Sequence, residues 1–124
     1  MNNSFILLFF IIIYISGCRE RISIEGFNEA IWKSDLMGCN GARENLISIL
    51  SQEKDELMGL SENRILQFLG KPDFQELYER NQKFYYYYFI PGPQCQTGNP
   101  GTNEGTLQIR FTALGFANEI VINN

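Results

Sequence analysis

Apolar side chains recur every three or four residues as far as Leu69, and at every second residue after Pro72. This change of period happens once, across Gly70 and Pro72, and it constrains the fold more than any other feature. A helical stripe and a strand face place side chains at incompatible spacings. Three helical stretches precede the change. Residues 27–35 put Phe27, Ala30 and Ile31 at helical spacing with Trp32 alongside. Gly38, Cys39, Asn40 and Gly41 then break the chain, and residues 42–57 resume with Leu46, Ile47 and Leu50 on one face and polar residues opposite. In residues 61–69, Ser61 can cap the N-terminus, Glu62 suits the positive end of the dipole, and Ile65, Leu66 and Leu69 form the stripe. Gly70 as a left-handed C-terminal cap, with Pro72 as a stop, ends that helix.

Beyond Pro72 four stretches read as strands: residues 75–78, 84–90, 106–111 and 116–122. Residues 113–115 form a tight connection that makes the last two a hairpin, and residues 91–105, rich in Pro, Gly, Asn and Thr, read as a surface loop. Helices followed by strands predict an α+β two-layer sandwich. The N-terminal helices pack on one face of a three- to four-stranded antiparallel meander sheet, and the other face is left free.

The run Phe84, Tyr85, Tyr86, Tyr87, Tyr88 and Phe89 is the most informative feature of that sheet. Alternation sends Phe84, Tyr86 and Tyr88 to one face and Tyr85, Tyr87 and Phe89 to the other. Only one face can meet the helices, so three aromatics are expected on the open side. Tyrosine tolerates partial exposure and is enriched at interfaces, which makes these six residues the candidates for binding a protein partner. Cross-strand aromatic pairs that merely stiffen the sheet are the alternative.

At the other end of the chain, residues 5–15 are all Phe, Ile, Leu or Tyr. That run is shorter than the roughly 20 residues needed to span a bilayer and suits the core of a signal peptide. Ile15, Ser16, Gly17 and Cys18 follow, and they resemble the lipobox of bacterial lipoproteins. The resemblance implies a signal peptide at residues 1–17, a diacylglycerol thioether on Cys18 with a further acyl chain on the new N-terminus, a lipidated tether at residues 18–26, and a single domain at residues 27–124. An ordinary secretory signal or a short buried segment is the alternative. Arg19 is not the Asp that marks inner-membrane retention in the best-known sorting pattern, so the outer membrane is the expected location, with the domain facing the periplasm.

Removing residues 1–17 from the 124 leaves 107, enough for one modest core. The formal net charge of −4 argues against nucleic-acid binding. An exported domain lies in an oxidising compartment, where Cys39 and Cys95, the thiols left once Cys18 carries lipid, are disulfide candidates. Two buried free thiols are the other possibility. A bridge closing so long a loop would stabilise the fold by roughly 4 kcal/mol on the chain-entropy account.

The segment GLSENRILQFLGKPD, residues 59–73, resembles the most recognisable stretch of the BamE (SmpA/OmlA) lipoproteins of the outer-membrane protein assembly machinery. In that family a glycine and a short capped helix lead into Leu-Gly-x-Pro. Here Gly59 and Ser61 take the turn and cap positions, Gly70 the helix end, and Pro72 the entry to the sheet. The resemblance extends through the aromatic strand to a final pair carrying Leu107, Ile109 and Phe111, then Gly115 and Val121. It implies two helices before a three-stranded antiparallel sheet, a role in envelope assembly or maintenance, and an envelope protein partner, with β-barrel assembly components as the candidates. A related layout recurs in β-lactamase inhibitor proteins, so an inhibitor-like recognition domain is the second expectation.

No histidine is present, so neither a Ser-His nor a Cys-His pair can form. The carboxylates Asp55 with Glu56, and Asp73 with Glu76, sit where solvated charges are expected. Neither Cys39 nor Cys95 lies in a Cys-x-x-Cys pair, and the glycine-rich stretch 92–105 has no lysine. A non-enzymatic protein with no metal, no cofactor and no small-molecule substrate is the resulting expectation.

Overall fold

The computed structural model describes residues 21–124. The proposed signal peptide and Cys18 lie outside the described residues. Three helices come first: α1 at Glu29–Ser34, α2 at Ala42–Gln52 and α3 at Glu62–Leu69. Strands β1 (Phe74–Tyr78), β2 (Gln82–Tyr88), β3 (Thr106–Phe111) and β4 (Ala117–Asn123) follow, with a one-turn helix, α4, at Gln94–Thr97 inside the loop between β2 and β3. All neighbouring strands are antiparallel and lie in the order β1-β2-β3-β4, an α+β meander with four strands.

The change of period at Gly70 and Pro72 is the structural border. Ser61 caps α3 by accepting the Arg64 N–H through its hydroxyl at 3.3 Å, and Ile65, Phe68 and Leu69 are buried. Gly70 stops the helix with φ +79°, a conformation other residues rarely adopt, while its N–H still donates to the Leu66 carbonyl. Its ψ of −174° makes it an extended exit toward the buried Pro72 rather than a left-handed cap.

Two helical readings need correction. α1 starts at Glu29, with the Asn28 side chain accepting the Ile31 N–H at 3.1 Å. That start turns Trp32 into the core and leaves Ile31 45% exposed, so the stripe is not the one through Ala30 and Ile31. The stretch 42–57 divides: α2 ends at Gln52, and a 3₁₀ turn, Lys54–Leu57, brings Leu57 fully into the core. β2 also begins earlier and ends earlier than the aromatic run implies, leaving Phe89 and Ile90 beyond it.

The core lies between the helices and one sheet face. Trp32, Leu50, Ile65 and Leu69 from the helical side meet Tyr87, Leu107, Ile109 and Phe111 from the sheet, all fully buried. Residues 21–26 have no regular secondary structure yet belong to this layer: Ile24 is buried in the core and Ile22 packs against it. A tether free as far as residue 26 is therefore too long; the chain docks at Ile22.

Candidate functional site: the open face of the aromatic strand

The register separates the two trios of β2. Tyr85 pairs with Ile109 and Tyr87 with Leu107, so these side chains share the helix-facing side. Both are buried, as is Phe89. Each tyrosine hydroxyl on this side has a partner. Tyr87 donates to the Gly70 carbonyl at 2.8 Å, and Tyr85 donates to Glu62 Oε1 at 2.9 Å, where Lys83 Nζ also lies at 3.1 Å. Burial first, and the Glu62 carboxylate second, push the Tyr85 hydroxyl up to about 12. Burial raises Tyr87 as well. Of the six aromatic candidates, these three build the core.

On the other side stand Phe84 and Tyr86, both half-buried, with Phe74 and Glu76 opposite them on β1. Tyr78 completes the stripe and is 50% exposed. Neighbouring rings touch: Tyr78 and Phe84 edge to face at 5.6 Å, Phe84 and Tyr86 stacked at 6.3 Å, and Phe74 and Tyr88 edge to face at 5.9 Å. Tyr86 donates to Glu76 Oε2 at 3.0 Å, and burial followed by that carboxylate pushes its hydroxyl up to about 12. Toward β4 the face turns polar, with Gln108, Arg110 ion-paired to Glu119 at 3.6 Å, and Asn123.

The open trio is reduced to two. Tyr88 points to the same side as Phe84 and Tyr86 but is only 4% exposed, because loop 91–105 folds over it. Its hydroxyl donates to the Thr102 carbonyl at 3.0 Å and accepts the Gly101 N–H at 2.9 Å. Between this loop and the stripe runs a groove of about 310 Å³, lined by Phe74, Glu76, Tyr86, Tyr88, Pro100 and Asn103 among others. An apolar floor with a few polar rim groups suits a protein side chain better than it suits chemistry.

Asp73 is not a solvated charge. Its side chain is 4% exposed and lies 2.6 Å from the Arg43 guanidinium, itself 1% exposed. Arg43 also donates to the carbonyls of Trp32 and Tyr88, both at 2.9 Å, and sits over the Trp32 ring. Asp73 accepts from the Met37 and Tyr88 N–H groups, and the buried Asp35 accepts those of Asn40 and Arg43. Buried charges of this kind survive only when paired and fully hydrogen-bonded. The Cys39–Cys95 disulfide stands beside this network. The buried Gln94 next to it donates to the Met37 and Ile90 carbonyls. Gly38 is required here, since a Cβ would lie 2.7 Å from the Tyr88 carbonyl oxygen. These groups brace the fold, and the pattern of charges along α2 carries no sign of them.

Gly59, with φ +79°, and Ser61 hold the turn and cap positions expected of them. Among the described residues no group of three or more His, Cys, Asp or Glu side chains could hold a metal ion, and no helix is long and apolar enough to cross a membrane. No protein-family model, curated protein or solved structure matches the chain.

Proposed function

We propose that this chain is a lipid-anchored, non-enzymatic binding module of the bacterial envelope. It is tethered through Cys18 to the outer membrane, faces the periplasm, and serves outer-membrane protein assembly or maintenance in the manner of the BamE-like lipoproteins. The lipobox-like residues Ile15 to Cys18 and the segment from Gly59 to Pro72 support the setting. One observation carries the binding role: Phe74, Tyr78, Phe84 and Tyr86 form a half-exposed aromatic stripe on two adjacent strands, on the sheet face away from the helices. Aromatic side chains held by ring contacts lose little freedom on binding and dominate interface energies.

The test replaces Phe84 and Tyr86 together by Ser in the lipidated chain and measures capture of β-barrel assembly components from detergent-solubilised envelopes. Loss of a two-residue anchor of this kind is expected to weaken capture at least about thirtyfold, while the fold stays intact. Unchanged capture by the folded variant sinks the binding role of this face. Recovery of a single enzyme that is inhibited on binding would replace the assembly role with the inhibitor layout.

A further inference from the structure

Among the described residues seven large apolar side chains are left in solvent, and five of them, all but Ile31 and Leu36, are gathered together. Leu77 is 74% exposed, Tyr78 50%, Leu114 85%, Phe116 47% and Met58 43%. All five lie at one end of the molecule. Lys83 on β2 pairs with Phe111 on β3, so the β1–β2 turn at Glu79–Asn81 and the β3–β4 turn at residues 112–115 leave the sheet on the same side. The start of α3 is there too. Ser61 bridges Phe116, the Glu62 N–H donates to the Gly115 carbonyl, and the Gly59 N–H beside Met58 donates to the Ala117 carbonyl. Exposed apolar residues gathered in one place mark an interaction surface, whereas single ones mean nothing.

The described chain begins alongside α3. Arg21 and Ile22 line a cleft of about 570 Å³ that starts at Ser61, at this end, and runs along α3 past Arg64 to Gln67 and Phe68, and Arg21 is ion-paired with Glu29 of α1 at 3.3 Å. Ile22 and Ile24 are packed on the domain, and three residue steps along the chain separate Cys18 from Arg21. Three peptide steps reach at most about 11 Å even when fully extended.

We infer that the hairpin-tip end is the membrane-facing end, and that Leu114 and Phe116, with Leu77 beside them, dip into the headgroup region of the bilayer. The inference rests on the lipid anchor at Cys18. A lipid on that residue brings this end to within a few residues' reach of the bilayer, where apolar tips gain from burial and an aromatic ring suits the interface. The opposite end, with Leu36 68% exposed beside the Tyr88 end of β2, points away. This orientation stands the sheet upright and leaves the open aromatic face accessible from the side.

The experiment compares Leu114→Trp and Leu36→Trp in the full lipidated chain, reconstituted into phosphatidylcholine vesicles that carry a spin-labelled acyl chain. Trp32 is fully buried and gives both variants the same background. Quenching of Leu114→Trp about threefold stronger than that of Leu36→Trp is expected for a side chain seated in the interface. Equal quenching, or stronger quenching at Leu36→Trp, overturns the inference, and co-sedimentation with the vesicles in the same sample then leaves the anchor standing. An emission from Leu114→Trp that lipid does not quench points to a protein occupant and overturns it as well. Failure to co-sediment overturns the anchor and the inference together.

Discussion

Where β2 ends, at Tyr88, a disulfide, a buried ion pair and a buried glutamine tie the 36–41 turn, α2 and loop 91–105 to the sheet. At the other end of the same strand the two hairpins project with Leu77, Tyr78 and Leu114 in solvent, tied by side chains through Thr112 Oγ1, which accepts the Phe116 N–H, and through the bonds from Lys83 and Tyr85 to Glu62. The contrast teaches how a small domain spends its few strong interactions. Cross-links and desolvated charges brace one end, while most of the exposed apolar side chains, Leu36 apart, lie at the other.

The braced end gives the largest expected effects. Arg43→Ala leaves Asp73 buried and without its partner, and unfolding in urea should show a loss toward the upper part of roughly 3–5 kcal/mol. A loss below 1 kcal/mol would mean that the ion pair is not desolvated and that the two ends do not differ as described. Replacing Cys39 and Cys95 together by Ser opens a loop with a sequence separation of 56 residues. Its expected cost is about 4 kcal/mol by the same measurement. Hydrogen exchange should then rise in residues 91–105 before it rises at the hairpin tips.

Alkaline pH sharpens the comparison along β2. Tyr85 and Tyr86 are both pushed up to about 12 from an ordinary 10.0. A group whose pKa is higher in the folded state binds its proton more tightly there. Its contribution is therefore complete below pH 10 and is lost as pH rises toward 12. The urea midpoint should fall across that window, and fall less in Tyr85→Phe, which has no hydroxyl to ionise. The smallest effect belongs to the open face: Phe84→Ser with Tyr86→Ser should cost no more than about 1 kcal/mol in stability, the range of cross-strand pairs on a solvated face. A larger loss would make these rings part of the framework.

Much of this fold is legible in the chain. The change of period at Pro72, the cap at Ser61, the break at Gly38 to Gly41 and the strand 106–111 are local signals with local causes, and the four-stranded meander follows from their order. Alternation divides the six aromatics into two trios, but it cannot say which trio meets the helices, because that depends on where α1 and α3 come to rest. It is equally silent on Tyr88, which loop 91–105 covers through Gly101 and Thr102. Arg43 and Asp73 escape local reading for the same reason. An arginine on an amphipathic helix looks solvated until a carboxylate thirty residues later is folded against it. Ile24 is hidden in a polar stretch, with too few apolar neighbours to form a stripe.

The proposed lipid anchor at Cys18 is tested most directly by mass spectrometry of the protein extracted from membranes. A chain that begins at Cys18 with acyl chains on its thiol and N-terminus, and in which peptides bearing Cys39 and Cys95 are disulfide-linked, is the predicted result. A chain that still begins at Met1 and carries no lipid would contradict it.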